Sequence, residues 1–193
     1  MTHLDSGAPA DKQTLRRKLR AQRRSLALHW DRGADATAIA TAASAMLDVL
    51  DEQPDQQRCV AIYRSLPLEP PTEALAAMLH VRGALVIVPE TLPDFDLQWH
   101  ELWADGSEGP RLGLAGIAAA HLILTPALSV DHSGARLGQG GGCYDRALAR
   151  RRPGAVGLPP ATRPASCTAP PPPCTTRGPR PRLRPPPCRP PTP

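Results

Sequence analysis

HLILTPALSVDHSGARLGQGGGCYDR, residues 121–146, is the stretch that decides the fold. Its first eight residues, 121–128, form a nearly continuous apolar run of strand length. Such a run, without polar alternation, suits a strand covered on both faces of a parallel sheet. A loop follows, and then a short helix from about Tyr144 to Arg151. Between them, Gly138, Gly140, Gly141 and Gly142 permit positive φ and let backbone N–H groups come close to a ligand. Successive amides ahead of a helix bind anions, typically phosphate. Arg136 and Arg146 flank the turn and can neutralise phosphate charge. Asp145 suits magnesium, which keeps its waters and takes few protein ligands. The order strand, glycine loop, helix therefore predicts an α/β protein with a phosphate-binding turn. It is not a Walker A loop, since no Gly-Lys-Ser/Thr follows, and it does not match the dinucleotide spacing G-x-G-x-x-G.

Upstream, the hydrophobic period switches between helix and strand. Residues 11–29 read as a helix, with Asp11 as N-cap and a narrow stripe of Leu15, Leu19 and Leu26. The rest of that helix is strongly basic: Lys12, Arg16, Arg17, Lys18, Arg20, Arg23 and Arg24. Two readings of the basic run stand side by side. It is a solvated face, or Lys12 and Arg16, one turn apart, close over the same triphosphate as the glycine loop. Residues 34–51 read as a second helix, with Ile39, Ala43, Met46, Leu47 and Leu50 on one face. CVAIYRSL (59–66) reads as a strand, broken by Pro70 and Pro71, after which Thr72 caps a helix carrying Leu75, Met78 and Leu79. Gly83 stops that helix. ALVIVP (84–89) reads as a strand buried on both faces, LQWHELW (97–103) as an antiparallel or edge strand, and AVGL (155–158) as the start of one more. Strands alternating with helices predict an open, mostly parallel sheet with helices on both faces. Glu69, just after a strand end, falls at the C-terminal edge of that sheet, where open α/β sheets bind ligands. Trp99 and Trp103 read as core or sheet-face packing, and the six histidines show no cluster.

Composition divides the chain in two. Of its 25 prolines, 16 lie in residues 153–193, which also hold six arginines and no carboxylate side chain. The first 152 residues carry 17 basic and 18 acidic side chains, so the body is nearly neutral and the overall charge of +5 belongs to the tail. This removes most of the argument for a nucleic-acid-binding fold. After Leu158 the tail has one large aliphatic residue, Leu183, and too little to bury against the entropy of ordering it. The expected organisation is a disordered N-terminus over 1–10, an α/β domain over 11–158, and a disordered Pro/Arg-rich tail over 159–193. Five cysteines, an odd number without metal-ligand spacing, carry no oxidative signal, and Cys59 reads as a small buried hydrophobe. With no signal peptide and no membrane-length apolar run, the expectation is a cytoplasmic protein without membrane or specific nucleic-acid partners.

RLGQGGGCYDRAL (136–148) resembles the RLG-x-G-G-G-Y-Y-D-R-x-L signature of the 5-formyltetrahydrofolate cyclo-ligases, also called 5,10-methenyltetrahydrofolate synthetases. LILTPALSVDHSGA (122–135), KQTLR (12–16), YRSLPLEPPTEAL (63–75) and IVP (87–89) are similar to other elements of that family, in family order. The resemblance implies conversion of 5-formyltetrahydrofolate, with or without a polyglutamyl tail, to 5,10-methenyltetrahydrofolate, with ATP and magnesium, by a monomer. Carried over by motif position, it implies ATP contacts from Lys12, Gln13, Thr14, Leu15 and Arg16, and from Arg136, Leu137, Gly138, Gln139, Gly140, Gly141, Gly142, Cys143 and Tyr144. It implies substrate contacts from Arg64, Glu69 and the loop Gln139–Cys143, magnesium on Asp145, and Arg136 and Asp145 as the catalytic pair.

Three departures stand out. Cys143 replaces the first tyrosine of Tyr-Tyr-Asp, and a thiol supplies neither an aromatic face nor a phenol. The connection from Trp103 to Gly113 is short, with only EGPRLG (108–113) resembling what borders the family's turn. Beyond AVGL, family-like sequence gives way to Pro/Arg/Cys-rich sequence, as reading a GC-rich gene in another frame would produce. On that hypothesis the sheet lacks its last strand or strands and the fold is marginal; reading the coding DNA in all three frames tests it. Two other functions compete: an interaction protein acting through the tail on SH3-like grooves or nucleic acid, and a non-folate nucleotide-binding α/β protein.

Overall fold

A computed structural model describes residues 9–50, 57–131 and 134–158. Two helices lead, α1 (Pro9–Ala27) and α2 (Arg32–Leu50), followed by β1 (Cys59–Ala61), α3 (Glu73–Val81), β2 (Leu85–Thr91), β3 (Leu97–Leu102) and β4 (Glu108–Gly113). A 3₁₀ helix (Leu114–Ala119), β5 (Leu122–Leu124), β6 (Ser129–Val130), β7 (Arg136–Leu137), α4 (Cys143–Leu148) and β8 (Val156–Leu158) follow among the described residues. Six strands form one sheet in the order β4-β3-β2-β1-β5-β8, and β6 and β7 pair as a small separate ribbon. The four strands β2, β1, β5 and β8 are mutually parallel, while β3 and β4 add antiparallel. The architecture is therefore the open, mostly parallel α/β sheet the sequence predicts.

Alternation along each strand separates two cores. Val60, Ile62, Val86, Val88, Leu122 and Leu124 face α2 and α3, where they meet Ile39, Ala43, Leu47, Leu75 and Leu79. Cys59, Ala61, Ile87 and Ile123 face the other way, onto Trp99, Ile117, Ala120 and Ala147. Continuous apolar runs are needed because both faces of the parallel strands are covered. Burial pushes the Cys59 thiol up to about 11, with Glu101 adding to the shift, so it packs as the inert hydrophobe expected of it.

Several expectations shift in the structure. The first helix starts at Pro9, so Asp11 lies inside it instead of capping it. The predicted strand 59–66 keeps its sheet pairing only through Ala61, with Ile62 N–H still donating to Ile87 O at 3.0 Å. Beyond it Tyr63 is buried, and its hydroxyl donates to Pro70 O at 2.8 Å. Thr72 stands at the head of α3 but does not cap it with its side chain; its hydroxyl donates to Tyr63 O at 2.9 Å instead. Of the two readings of LQWHELW, antiparallel holds and edge does not, because EGPRLG forms β4 outside it. The run 121–128 leaves the sheet after Leu124, and α4 is shorter than residues 144–151 suggested. Trp99 is fully buried, whereas Trp103 is half-exposed. Among the described residues no helix is long and apolar enough to cross a membrane. Residues 1–8 and 159–193, and with them the readings of the tail and of a missing last strand, lie outside the described residues.

Candidate active site

The glycine loop runs from the end of β7 into α4. Gly140 has φ +113° and Gly142, the residue before α4, has φ +68°, conformations that a β-carbon strains. The Gly142 carbonyl accepts from the N–H groups of both Asp145 and Arg146 at 3.1 Å. α4 is only six residues long, so its end contributes little to attracting an anion. Cations must contribute most of that attraction, and α1 brings them.

α1 lies across this loop, held by arginines and not by its apolar stripe. Arg16 Nε donates to Gly138 O at 3.0 Å, and its guanidinium passes over Gly140. Arg20 donates to Gln139 twice, from Nε to Oε1 at 3.0 Å and from Nη2 to the backbone O at 2.5 Å. Arg23 Nη2 donates to Ala127 O at 2.6 Å. Leu15 of the stripe is exposed, and Leu19 and Leu26 are only partly covered. Residues 16, 20 and 23 share one helical face because they are four and three apart. Lys12 falls on the same face one turn earlier, and Lys12, Gln13, Thr14 and Leu15 are all exposed. Elements of both readings of the basic helix are present: Arg16 and Arg20 contact the glycine loop, while Lys12 and Arg20 remain exposed. The sequence reading singled out Lys12 and Arg16 but not Arg20 and Arg23, although the same spacing extends to them.

Beneath the loop sits a buried polar group. Tyr144 packs against both cores, and its hydroxyl is buried with no protein partner. Burial, with the charge of Glu69 behind it, drives that phenol far above its ordinary value. Arg136 lies 5.6 Å over the Tyr144 ring and pairs with Asp145. Glu69 is buried, 5% exposed, and its carboxylate accepts Leu66 N–H at 3.2 Å. Burial lowers the Arg23 pKa, and the nearby charge of Glu69 acts the other way. The charge of Glu69 acts on Arg23, Tyr63 and Tyr144 alike. Arg64 is drawn elsewhere. It pairs with Glu108 at 2.7 Å, and the other Glu108 oxygen faces the buried His100 at 3.7 Å. His100 in turn bonds Glu90 at 2.8 Å, so this histidine has carboxylate partners that the sequence did not reveal.

On the far flank, α4 grips the connection between β2 and β3. Arg150 makes a bidentate pair with Asp96, at 2.8 and 2.6 Å. Arg146 donates from Nη2 to Phe95 O at 2.6 Å and to Gly141 O at 3.1 Å. The Arg150 guanidinium, with the Leu97 N–H, holds the Asp96 carboxyl down to about 2.

A model of the 5-formyltetrahydrofolate cyclo-ligase family matches residues 8–161. The chain belongs to that family. The 5-formyltetrahydrofolate cyclo-ligase of Mycolicibacterium smegmatis is 38% identical over 106 residues, covering 47% of this chain and 55% of that relative. The chain thus matches about half the length of this curated relative. The fold is similar to the NMR structure of Aquifex aeolicus 5,10-methenyltetrahydrofolate synthetase, with TM-score 0.55 and 21% identity over 78% of this chain and 77% of that one. It is also similar to a 5,10-methenyltetrahydrofolate synthetase from Mycoplasma pneumoniae, with TM-score 0.51 and 19% identity over 74% and 82% of the two chains.

In this cyclo-ligase family member the motif residues do not all fall together. The glycine loop, Arg16, Arg136, Tyr144, Asp145 and Glu69 share one region, while Arg64 turns toward β4. Among the described residues no three His, Cys, Asp or Glu side chains assemble as a metal cage. Asp145 is four-fifths exposed beside the glycine loop.

Proposed function

We propose that this chain converts 5-formyltetrahydrofolate to 5,10-methenyltetrahydrofolate, consuming ATP and releasing ADP and phosphate. The observation that carries the reading is the arginine face of α1 laid over a positive-φ glycine loop, in a chain belonging to the cyclo-ligase family. ATP with magnesium supplies a phosphoryl group that turns the formyl oxygen into a leaving group. The chain's own residues bind, orient and neutralise. Lys12, Arg16 and Arg20 offset the triphosphate charge from above the loop, with Gln13, Thr14 and Leu15 alongside on the same helix. The backbone from Leu137 to Cys143 approaches the phosphates without side-chain bulk at Gly138, Gly140, Gly141 and Gly142. Arg136 exchanges its carboxylate partner for phosphate oxygens, and this frees Asp145 for the magnesium ion. Donors fixed before the reaction stabilise charge that develops on transferring oxygens without reorganising. Glu69, a buried carboxylate, offers the substrate side an acceptor, and the unpartnered Tyr144 hydroxyl offers a donor. Arg64, half-exposed at the outer strands, is placed for the distal, acidic part of the folate. The reaction takes place on a monomer in the cytoplasm.

The test is direct. Purified chain, ATP, magnesium and 5-formyltetrahydrofolate are mixed and the methenyl chromophore is followed. Product that requires both ATP and magnesium supports the proposal. Stabilisation of the fold by ATP with no response to folates would replace it with a nucleotide-binding protein of another kind.

A further inference from the structure

Phe95 is the chain's one phenylalanine, and among the described residues it is the one non-glycine with positive φ, +63°. An aromatic residue there is a backbone outlier, since the left-handed region crowds a β-carbon. The residue is 59% exposed, so burial does not repay the strain. The turn between β2 and β3 imposes it, with Phe95 N–H donating to Leu92 O and Leu92 N–H to Asp96 O, both at 2.9 Å, and side chains hold it there. Arg146 holds the Phe95 carbonyl at 2.6 Å, Arg150 holds Asp96 bidentately, and Asp94 accepts Asp96 N–H at 3.0 Å. Strained residues that persist under such multiple restraint concentrate where a ligand needs them.

The ring is also aimed at the site. A β-carbon built on Gly141 would lie 3.6 Å from Phe95 Cδ1 and 3.1 Å from Cys143 Sγ. Phe95 therefore borders the glycine loop beside Cys143, the position where the family motif has a tyrosine and this chain has only a thiol. Arg16 covers the same loop at Gly140.

We infer that Phe95 is a substrate-contacting residue, giving the pterin ring of the folate a flat apolar face at the glycine loop. The inference rests on the activity proposed above. That activity also chooses between the two flat rings involved. The formyl group is carried on the pterin and must reach the terminal phosphate held at the loop. The adenine is separated from that phosphate by the ribose and the other two phosphates. An aromatic side chain touching the loop therefore meets the pterin.

The experiment measures equilibrium binding of 5-formyltetrahydrofolate and, separately, of ATP with magnesium. It uses the full chain and its Phe95→Gly and Phe95→Tyr variants, with a thermal melt of each. Phe95→Gly is expected to raise the folate Kd about tenfold, the scale of one lost aromatic contact, and to leave the ATP Kd within about twofold. Its melting temperature should hold or rise, because glycine relieves the positive φ. Phe95→Tyr should restore folate binding. Unchanged folate affinity in Phe95→Gly would overturn the inference and leave the proposed activity standing. So would an equal loss for both ligands, or a loss confined to ATP. A wild-type chain that binds no folate would overturn the proposed activity, and this inference with it.

Discussion

Replacing Tyr144 with phenylalanine should make the protein more stable and the enzyme worse. The Tyr144 hydroxyl is buried with no protein partner, while its ring is packed between both cores. A buried unpaired hydroxyl costs roughly 1–3 kcal/mol in lost hydration, and Tyr144→Phe removes that cost while leaving the ring in place. The stacking of Arg136 over the ring, at 5.6 Å, is retained by phenylalanine and largely cancels in the comparison. Some volume is lost with the oxygen, so a net gain of about 1 kcal/mol is the reasonable expectation. For a domain of this size that corresponds to a rise of about 2–4 °C in Tm. Urea unfolding followed by circular dichroism should show the same gain as a higher midpoint with unchanged slope. Function should move in the opposite direction. A buried donor without a protein partner, in a residue that follows the glycine loop, has a ligand as its natural partner, and losing it should lower kcat/KM by about tenfold or more. The reasoning fails if Tyr144→Phe is less stable by a kcal/mol or more, since the hydroxyl must then be satisfied within the folded protein. It fails equally if stability rises and turnover is untouched, because the unpaired hydroxyl would then serve no ligand.

Other outcomes follow from the same geometry. Arg16→Ala removes both a cation and the hydrogen bond to Gly138 O, and should weaken ATP binding by tenfold or more. In a titration at increasing ionic strength, the wild-type affinity should fall more steeply than that of the variant. Gly140→Ala places a β-carbon at φ +113° beneath the Arg16 guanidinium, and should destabilise the fold by roughly 1–3 kcal/mol while disrupting the anion site; a melt matching wild type would contradict this. The Asp96 carboxyl, held at about 2 by Arg150, has a folded pKa below its unfolded value near 3.9. Its contribution is therefore complete above pH ~4 and lost as the pH falls toward ~2. Acid titration of stability should show this loss in wild type and a flatter profile in Asp96→Asn.

The elements that were legible in the sequence are those whose burial is simple. Residues 85–88 and 122–124 are apolar without interruption because helices cover both faces of those strands, and the pattern alone announces it. The α2 face of Ile39, Ala43 and Leu47 is read the same way. β4 was not legible, since EGPRLG is exposed along most of its length and contains a proline and two glycines. Its strand exists because β3 offers an edge to pair with. Thr72 has the chemistry of a cap and the position of one, yet the Tyr63 carbonyl, brought alongside by the turn at Pro70, takes its hydroxyl.

The site divides along the same line. Glycines at 138 and 140–142 flanked by arginines are the pattern from which a phosphate turn is read, because backbone access and positive charge are local properties. That much required no tertiary structure. The basic helix and its Lys12 and Arg16 were legible, but not which groups its arginines meet: a guanidinium bonded to a carbonyl more than a hundred residues away leaves no periodicity to read. Burial of Glu69, the unpaired Tyr144 hydroxyl, the diversion of Arg64 to Glu108 and the strained Phe95 are likewise products of chain crossing. Residue types and their spacing establish which chemistry is possible. Which of those groups are desolvated, paired or left open depends on distances between distant segments, and only the tertiary structure sets those.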